Sequence, residues 1–370
     1  MTDANLGEVA GLLLRLTKVC YRSDEVVNPV TSNTIDLVEF VYDLDVERDL
    51  WIPSLLEVGL PLFDHGYGVS AATYVRPVEG GMPFPTKFYQ ASGPPDLNER
   101  ILEASTMADE RTLREINRCG VVTTLSETLK EFTDGAAPLT EFQKYLAGAK
   151  DMLALTALDP NGIGLSVAAP LPEVTKLIGR DREHWKMIGA HLVSGFRLRR
   201  GLVEQEHETI EHSPLPDRAE AVLDPKSFEV TDAIGRAKIR GARKFLREAA
   251  IQIDRARGRL RRRDPEQALQ IWKSLVDGRW SMVDWFDSDG RRFVLAHPNQ
   301  PPMKDPRGLT ERESQVCTYA ALGETNKLIS YRLGISQSTV SSTLRSAMRK
   351  LGVQNRAQLV ERLRAFRAIA

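Results

Sequence analysis

The spacing of apolar positions along this 370-residue chain changes period several times, and each change predicts a different element. Leu12, Leu13, Leu16 and Val19 form one stripe at three- and four-residue intervals. Ile35, Leu37, Val38, Phe40, Val41 and Leu44 form another, so the chain from Asn5 to about Leu62 reads as helical. From Val69 to Val75 the period becomes that of a strand, ending at Arg76-Pro77, and Lys87-Phe88-Tyr89-Gln90 returns after a Gly/Pro-rich loop as the second arm of a hairpin. Asp96 to Asn117 is charged and helical, Gly120 to Leu125 is a β-branched strand, and a short helix is expected from Leu139 to Leu146. The runs from Met152 to Leu158 and from Ile163 to Ala169 flank Asp159-Pro160-Asn161-Gly162, and Asn-Gly between two such runs is the strongest local hairpin signal. A long helix from Arg182 to Val203 follows, with Trp185, Ile188, Leu192 and Phe196 on its packing side.

The polar stretch from Glu204 to Asp224, with Ser213-Pro214-Leu215-Pro216 inside it, reads as a linker. Beyond it Val230, Ile234, Ala237, Gly241, Phe245, Ala249, Ile253, Ala256 and Leu260 recur every three or four residues, which predicts one continuous helix of about eight turns. Another amphipathic helix is expected from Gln267 to Val276. Trp280 to Phe286 then pairs with Arg291 to Leu295 across Asp287-Ser288-Asp289-Gly290, and His297 to Gly308 is a proline-rich connector.

The last sixty or so residues hold a compact series of helix signals. Thr310 and Glu313 are spaced as a capping box, Val316, Cys317, Tyr319 and Ala320 make an apolar face, and Gly323 ends the helix. Thr325 caps a second helix that stops at Gly334, and Gly334-Ile335-Ser336 forms a tight turn into a third from Gln337 to Leu351. Val340, Leu344, Ala347 or Met348, and Leu351 give that helix its buried stripe, while Ser338, Thr339, Ser341, Ser342, Arg345 and Arg349 occupy the other face. Short hydroxyls and long cations suit base edges and phosphates. A fourth helix carries Leu359, Leu363 and Phe366 on one side, an apolar stripe expected to pair two copies.

This segment resembles the LuxR-type helix-turn-helix family through Leu309-Thr310-x-Arg312-Glu313, Gly323-x-x-Asn326-Lys327, Leu333-x-Ile335-Ser336-x-x-Thr339-Val340, Leu344 and Lys350-Leu351-Gly352-Val353-x-Asn355-Arg356. The resemblance implies that the third helix is a recognition helix, that Lys327 and Thr339 meet phosphates, and that the fourth helix joins two subunits. Ser341 and Thr343 stand where the family usually has Lys and His, and Leu328 where a Glu is common. The target sequence is therefore expected to differ from the family's common sites, with affinity leaning on Arg345, Arg349 and Lys350.

Charge sharpens this picture. Leu309 to Ala370 holds ten Lys or Arg against four Asp or Glu, and Arg236 to Arg263 holds twelve against two, in a chain whose formal net charge is zero. The remainder is therefore strongly acidic. The basic stretch near 236–263 would dock on that acidic body or lie against duplex flanking the recognition site, and the first is favoured by local concentration. Salt-sensitive binding to double-stranded DNA is expected.

Chemistry of other kinds is not signalled. Gly164-Leu165-Ser166-Val167-Ala168 lacks the last glycine of a nucleophile elbow and sits on a strand, and no phosphate-binding loop appears. His184 and His191 lie two helical turns apart, too far for one metal ion. Cys20, Cys119 and Cys317 are isolated, no run of eighteen apolar residues occurs, and no leader pattern opens the chain, so a cytoplasmic protein with no membrane contact is expected.

The order of helices, about five hairpin-linked strands and a further helix in the first two hundred residues resembles a GAF-type sensory domain in architecture only. His65, Tyr74, Phe88, Tyr89 and Cys119 lie on or beside its sheet and either line a pocket or pack the core. The fold class expected is α+β, in three parts: a GAF-like sensory or dimerisation domain at 1–205, a linker, basic helix and hairpin at 206–300, and the helix-turn-helix module at 306–370. The function expected is a homodimeric, one-component transcriptional regulator. RNA polymerase and a small-molecule effector stay open as partners, no cofactor is specified, and the alternative is a ligand-binding or enzymatic scaffold whose helix-turn-helix meets protein.

Overall fold

The computed structural model describes residues 34–75, 84–109, 112, 113, 116, 122–131, 139–158, 163–207, 214–299 and 309–367. The chain divides into two compact units, one containing Glu47–Val193 and the other Val41–Val46 with Ser194–Ala370. Among the described residues no helix is long and apolar enough to cross a membrane.

In the first unit α1 (Thr34–Val41) and α2 (Trp51–Phe63) precede β1 (Val69–Val75) and β2 (Phe84–Ser92), and α3 (Leu97–Thr106) follows. Then come β3 (Val122–Thr124), α4 (Leu125–Glu131), α5 (Leu139–Gln143), β4 (Asp151–Leu158), β5 (Gly164–Leu171) and α6 (Gly179–His207), whose second half belongs to the other unit. The five strands form one antiparallel sheet in the order β2-β1-β5-β4-β3. Both hairpins read from the sequence are present, although the Asn161-Gly162 turn itself, the early stripe at Leu12 to Val19, and Cys20 and Cys119 lie outside the described residues.

Helix α4 was not legible: Leu125, expected to end a strand, instead begins this helix. Its start is organised by Asp151, a fully buried carboxylate that accepts hydrogen bonds from the Ser126 N–H (3.0 Å), the Ser126 hydroxyl (2.6 Å), and the N–H groups of Met152 and Thr175 (2.9 Å each). A buried carboxylate with that many donors ties three chain segments together.

The second unit contains a sheet that the periodicity concealed. β6 (Ala221–Leu223) is fully buried and lies in a stretch read as linker; β7 (Val230–Ala233) occupies the start of the expected eight-turn helix. With β8 (Trp280–Phe286) and β9 (Arg292–Pro298) they make an antiparallel sheet in the order β7-β6-β9-β8. The single long helix is therefore corrected to a strand, a 3-10 turn (Gly235–Lys238), α7 (Arg240–Arg255), a π-helical turn (Ala256–Leu260) and a last turn, Arg261–Arg263. Intervals of three or four residues fit a helix, but an edge strand of four residues gives too few positions to reveal its own period. The expected connector from His297 is corrected likewise, because β9 runs through His297, which is 1 % exposed; residues 300–308 lie outside the described residues.

α7 buries Ala242, Leu246, Ala250 and Ile253, and α8 (Pro265–Ile271) is capped by Asp264, whose carboxylate accepts the Gln267 N–H at 2.9 Å. Four helices close the chain: α9 (Glu311–Ala321), α10 (Asn326–Leu333), α11 (Gln337–Lys350) and α12 (Arg356–Arg367).

Candidate nucleic-acid interface

The first three helices of the C-terminal module each start on a hydroxyl cap. Thr310 Oγ1 accepts the Glu313 N–H at 3.2 Å while Glu313 returns a carboxylate to the Thr310 N–H at 2.8 Å, which is the capping box expected. Thr325 accepts the Leu328 N–H at 3.2 Å, and Ser336 accepts the Thr339 N–H at 3.0 Å. Gly334, at φ +66, supplies the left-handed residue that turns α10 into α11. Val316, Cys317, Ala320, Ile329, Ile335, Val340, Leu344, Ala347 and Leu351 converge on one core.

The geometry of α11 follows from those positions. At 3.6 residues per turn, Ser338, Ser342, Arg345 and Arg349 fall within about 60° of one another around the helix axis, and Val340, Leu344, Ala347 and Leu351 cluster on the far side. All four of the first set are exposed, and all four of the second are buried. At 1.5 Å per residue the helix is about 21 Å long, enough to lie along one exposure of a major groove. The Arg345 and Arg349 guanidiniums stand in solvent, and the Ser342 hydroxyl donates to the Thr339 carbonyl at 3.0 Å.

The remaining expected contacts have more specific settings. Lys327 is exposed in the first turn of α10. Ser341 is half-buried, accepting from Asn326 Nδ2 at 3.0 Å and donating to the Gln337 carbonyl at 3.0 Å, so it holds the start of α10 against α11. Thr339 shares its hydroxyl with the Ser336 cap at 2.8 Å. The Lys350 ammonium is bound to Glu313 Oε2 at 2.7 Å, so a phosphate would have to compete for it. Burial pushes the Glu313 carboxyl up, but the Lys350 ammonium and the donors on Thr310 and Ser346 outweigh it and hold the group at about 2.

Two of the three residues of the expected pairing stripe on α12 turn inward. Leu359 is 0 % and Leu363 8 % exposed, both packed into the module's own core, and the Phe366 side chain lies outside the described residues. A fourth helix on a three-helix bundle must bury an apolar face of its own, so these two leucines are not open to a second copy.

Of the residues considered for a pocket, Phe88 and Tyr89 do not share a face. In the β1–β2 register Phe88 lies opposite Ala72 and Tyr89 opposite Ala71, which puts them on opposite faces of the sheet. Tyr74, two residues beyond Ala72, shares the Phe88 face, His65 is exposed beyond α2, and Cys119 lies outside the described residues.

Sequence reasoning missed how the module is held. Arg332 and Glu324 form an ion pair at 2.8 Å, 5 % and 7 % exposed, with the Arg332 guanidinium 5.4 Å from the centre of the Tyr319 ring. Arg356 donates to Asn326 Oδ1 at 2.6 Å and to the Glu324 carbonyl at 3.0 Å. The middle of the unit reaches the same module. The Tyr331 hydroxyl donates to the Leu269 carbonyl (2.9 Å), the Ser274 hydroxyl to the Arg332 carbonyl (3.1 Å), Gln315 to the Gly278 carbonyl (3.1 Å), and Arg312 pairs with Asp277 (2.7 Å). Leu275 is inserted in the module's core. These contacts come from α9 and the end of α10 and leave the outer stripe of α11 open.

Residues 307–363 match the family described as bacterial regulatory proteins, luxR family. The chain is 29% identical over 94 residues to the HTH-type transcriptional regulators MalT of Vibrio campbellii and Vibrio parahaemolyticus, a stretch covering 25% of this chain and 10% of those proteins. It is 43% identical over 56 residues to the putative HTH-type transcriptional regulator YhjB of Escherichia coli, covering 15% of this chain and 28% of that protein. The likeness thus spans only a minor part of each relative. The capped helices, the left-handed turn at Gly334 and the match over 307–363 identify the C-terminal part of this chain as a luxR-family helix-turn-helix domain.

Proposed function

We propose that this protein is a sequence-specific DNA-binding transcriptional regulator whose α11 enters the major groove. The observation that carries the reading is the stripe of Ser338, Ser342, Arg345 and Arg349, exposed on the side of α11 away from its buried aliphatic residues. Hydroxyls and guanidiniums on a helix of this width meet base edges and phosphates without steric conflict. Lys327 adds a phosphate contact from α10. Two copies on a two-fold site would place their α11 helices about one duplex turn apart. Because Leu359 and Leu363 are committed inside the module, the pairing surface is formed by other residues. The first unit, an antiparallel sheet with helices before and after it, is read as the GAF-like sensory part of a one-component regulator.

Footprinting of the full chain on genomic fragments at two salt concentrations tests this. Protection of defined sequences that fades as salt rises is the expected result. Uniform or absent protection at both concentrations overturns it.

A further inference from the structure

The cations between Arg236 and Arg263 are not consumed inside their own unit. Arg236 is paired with Glu311 (2.8 Å), Arg247 with Glu229 (2.8 Å), Arg257 with Asp284 (2.8 Å), and Lys244 lies 3.8 Å from Glu248. Lys238, Arg240, Arg243, Arg255, Arg259, Arg262 and Arg263 are all exposed and, among the described residues, have no acidic partner. Within α7, Arg240, Arg243, Lys244 and Arg247 follow an i, i+3, i+4, i+7 spacing and so share one face, away from the buried Ala242, Leu246, Ala250 and Ile253.

This basic segment is fastened to the helix-turn-helix module at both ends. At its start Arg236 holds Glu311, in the first turn of α9; two residues further, Glu313 holds Ser346 and Lys350, at the end of α11. Past its other end, Leu269 and Ser274 bind Tyr331 and Arg332. The segment therefore begins where the recognition helix finishes and is linked to it through these contacts.

We propose that Arg236–Arg263 is a second duplex-DNA surface, sequence-independent, that grips the phosphate backbone flanking the site read by α11. It rests on the DNA-binding reading above. The occupant is argued from charge and continuity: a run of unpaired cations next to a groove-reading helix neutralises phosphates and releases their counterions, adding affinity and lengthening the contact without adding sequence information. Ile239 and Phe245, 59 % and 45 % exposed among these cations, make an anionic lipid surface the rival occupant, and the chain's own acidic residues are another.

The test compares the full wild-type chain with Lys238→Gln/Arg240→Gln/Arg243→Gln/Arg255→Gln, and with Arg259→Gln/Arg262→Gln/Arg263→Gln as a second set should the first not fold. Binding to duplexes with and without flanking sequence is measured across salt, alongside sedimentation with phosphatidylcholine vesicles containing phosphatidylserine. Each lost phosphate contact lowers the slope of log K against log salt by about 0.9. The expected result is a slope smaller by about two units or more, at least roughly tenfold weaker binding at low salt, a shorter footprint and an unchanged preferred core sequence. Wild-type slope, affinity and footprint in the variants overturn the proposal while leaving the module's own DNA reading intact, as does a variant defect confined to vesicles. A wild-type chain that ignores DNA at every salt concentration removes both.

Discussion

A Cβ placed on Gly334 would sit 1.8 Å from the carbonyl oxygen of Leu275, so the turn that delivers the recognition helix is pressed directly against the backbone of the preceding subdomain. Gly334 also has φ +66, and glycine is the residue that meets both demands. Gly334→Ala is expected to cost about 2–4 kcal/mol in denaturant unfolding, combining left-handed strain with a backbone collision. Gly323→Ala provides the comparison: its φ is +83 but nothing lies within 4 Å, so about 1 kcal/mol is expected. Equal losses at the two sites would refute the contact with Leu275.

Lys327 and Arg345 should fail in different ways. Lys327→Ala removes an exposed cation at the start of α10, so binding to all sequences should weaken and the salt slope should drop by about 0.9. Arg345→Ala lies in the middle of the open stripe of α11 and should cost about 1–3 kcal/mol on the preferred site and relax selection there. Competition binding against a randomised duplex pool distinguishes them; the same loss of selectivity for both would contradict the assignment.

Glu313 links stability to pH. Its carboxyl titrates at about 2 in the folded protein against 4.5 as the unperturbed value, so the folded state binds the proton less readily than the unfolded chain. The stabilisation is present above about pH 4.5 and disappears as the pH falls toward 2, by an amount on the order of 2 kcal/mol. Glu313→Gln should flatten the acid limb of the stability profile, measured by denaturant midpoints from pH 6 to about pH 2. An unchanged acid limb would mean that Lys350 and Ser346 do not hold this carboxylate in solution.

The Arg332–Glu324 pair is almost wholly buried, so removing one partner strands the other charge. Glu324→Ala is expected to lose about 3–5 kcal/mol, whereas Glu324→Leu combined with Arg332→Met should recover much of that loss. Thermal melts of the single and double variants report the difference, and a double variant as unstable as the single would show that the pair does more than neutralise itself.

The chain's own pattern made the module legible because every local instruction in it agrees: Thr310, Thr325 and Ser336 cap three helices, Gly334 turns one into the next, and Val340, Leu344 and Ala347 sit at helical intervals. The strands of the first sheet were legible for a similar reason, since β1, β4 and β5 are seven or eight residues long and each hairpin is local. β6 and β7 were not. Three and four residues carry almost no period, and what makes them strands is pairing: β6 with β9, some seventy residues away, and β7 with β6.

Local propensity and periodicity thus determined which segments of the C-terminal module are helices, which face of α11 carries hydroxyls and cations, and that the end of the chain has the makings of a DNA-binding module. Tertiary packing alone decided that Leu359 and Leu363 turn inward, that Lys350 is shared with Glu313, and that Leu275 enters the module's core beside Gly334. The physical reason is that capping and amphipathicity act between residues three or four apart, while burial and ion pairing depend on which distant surface comes to lie against them.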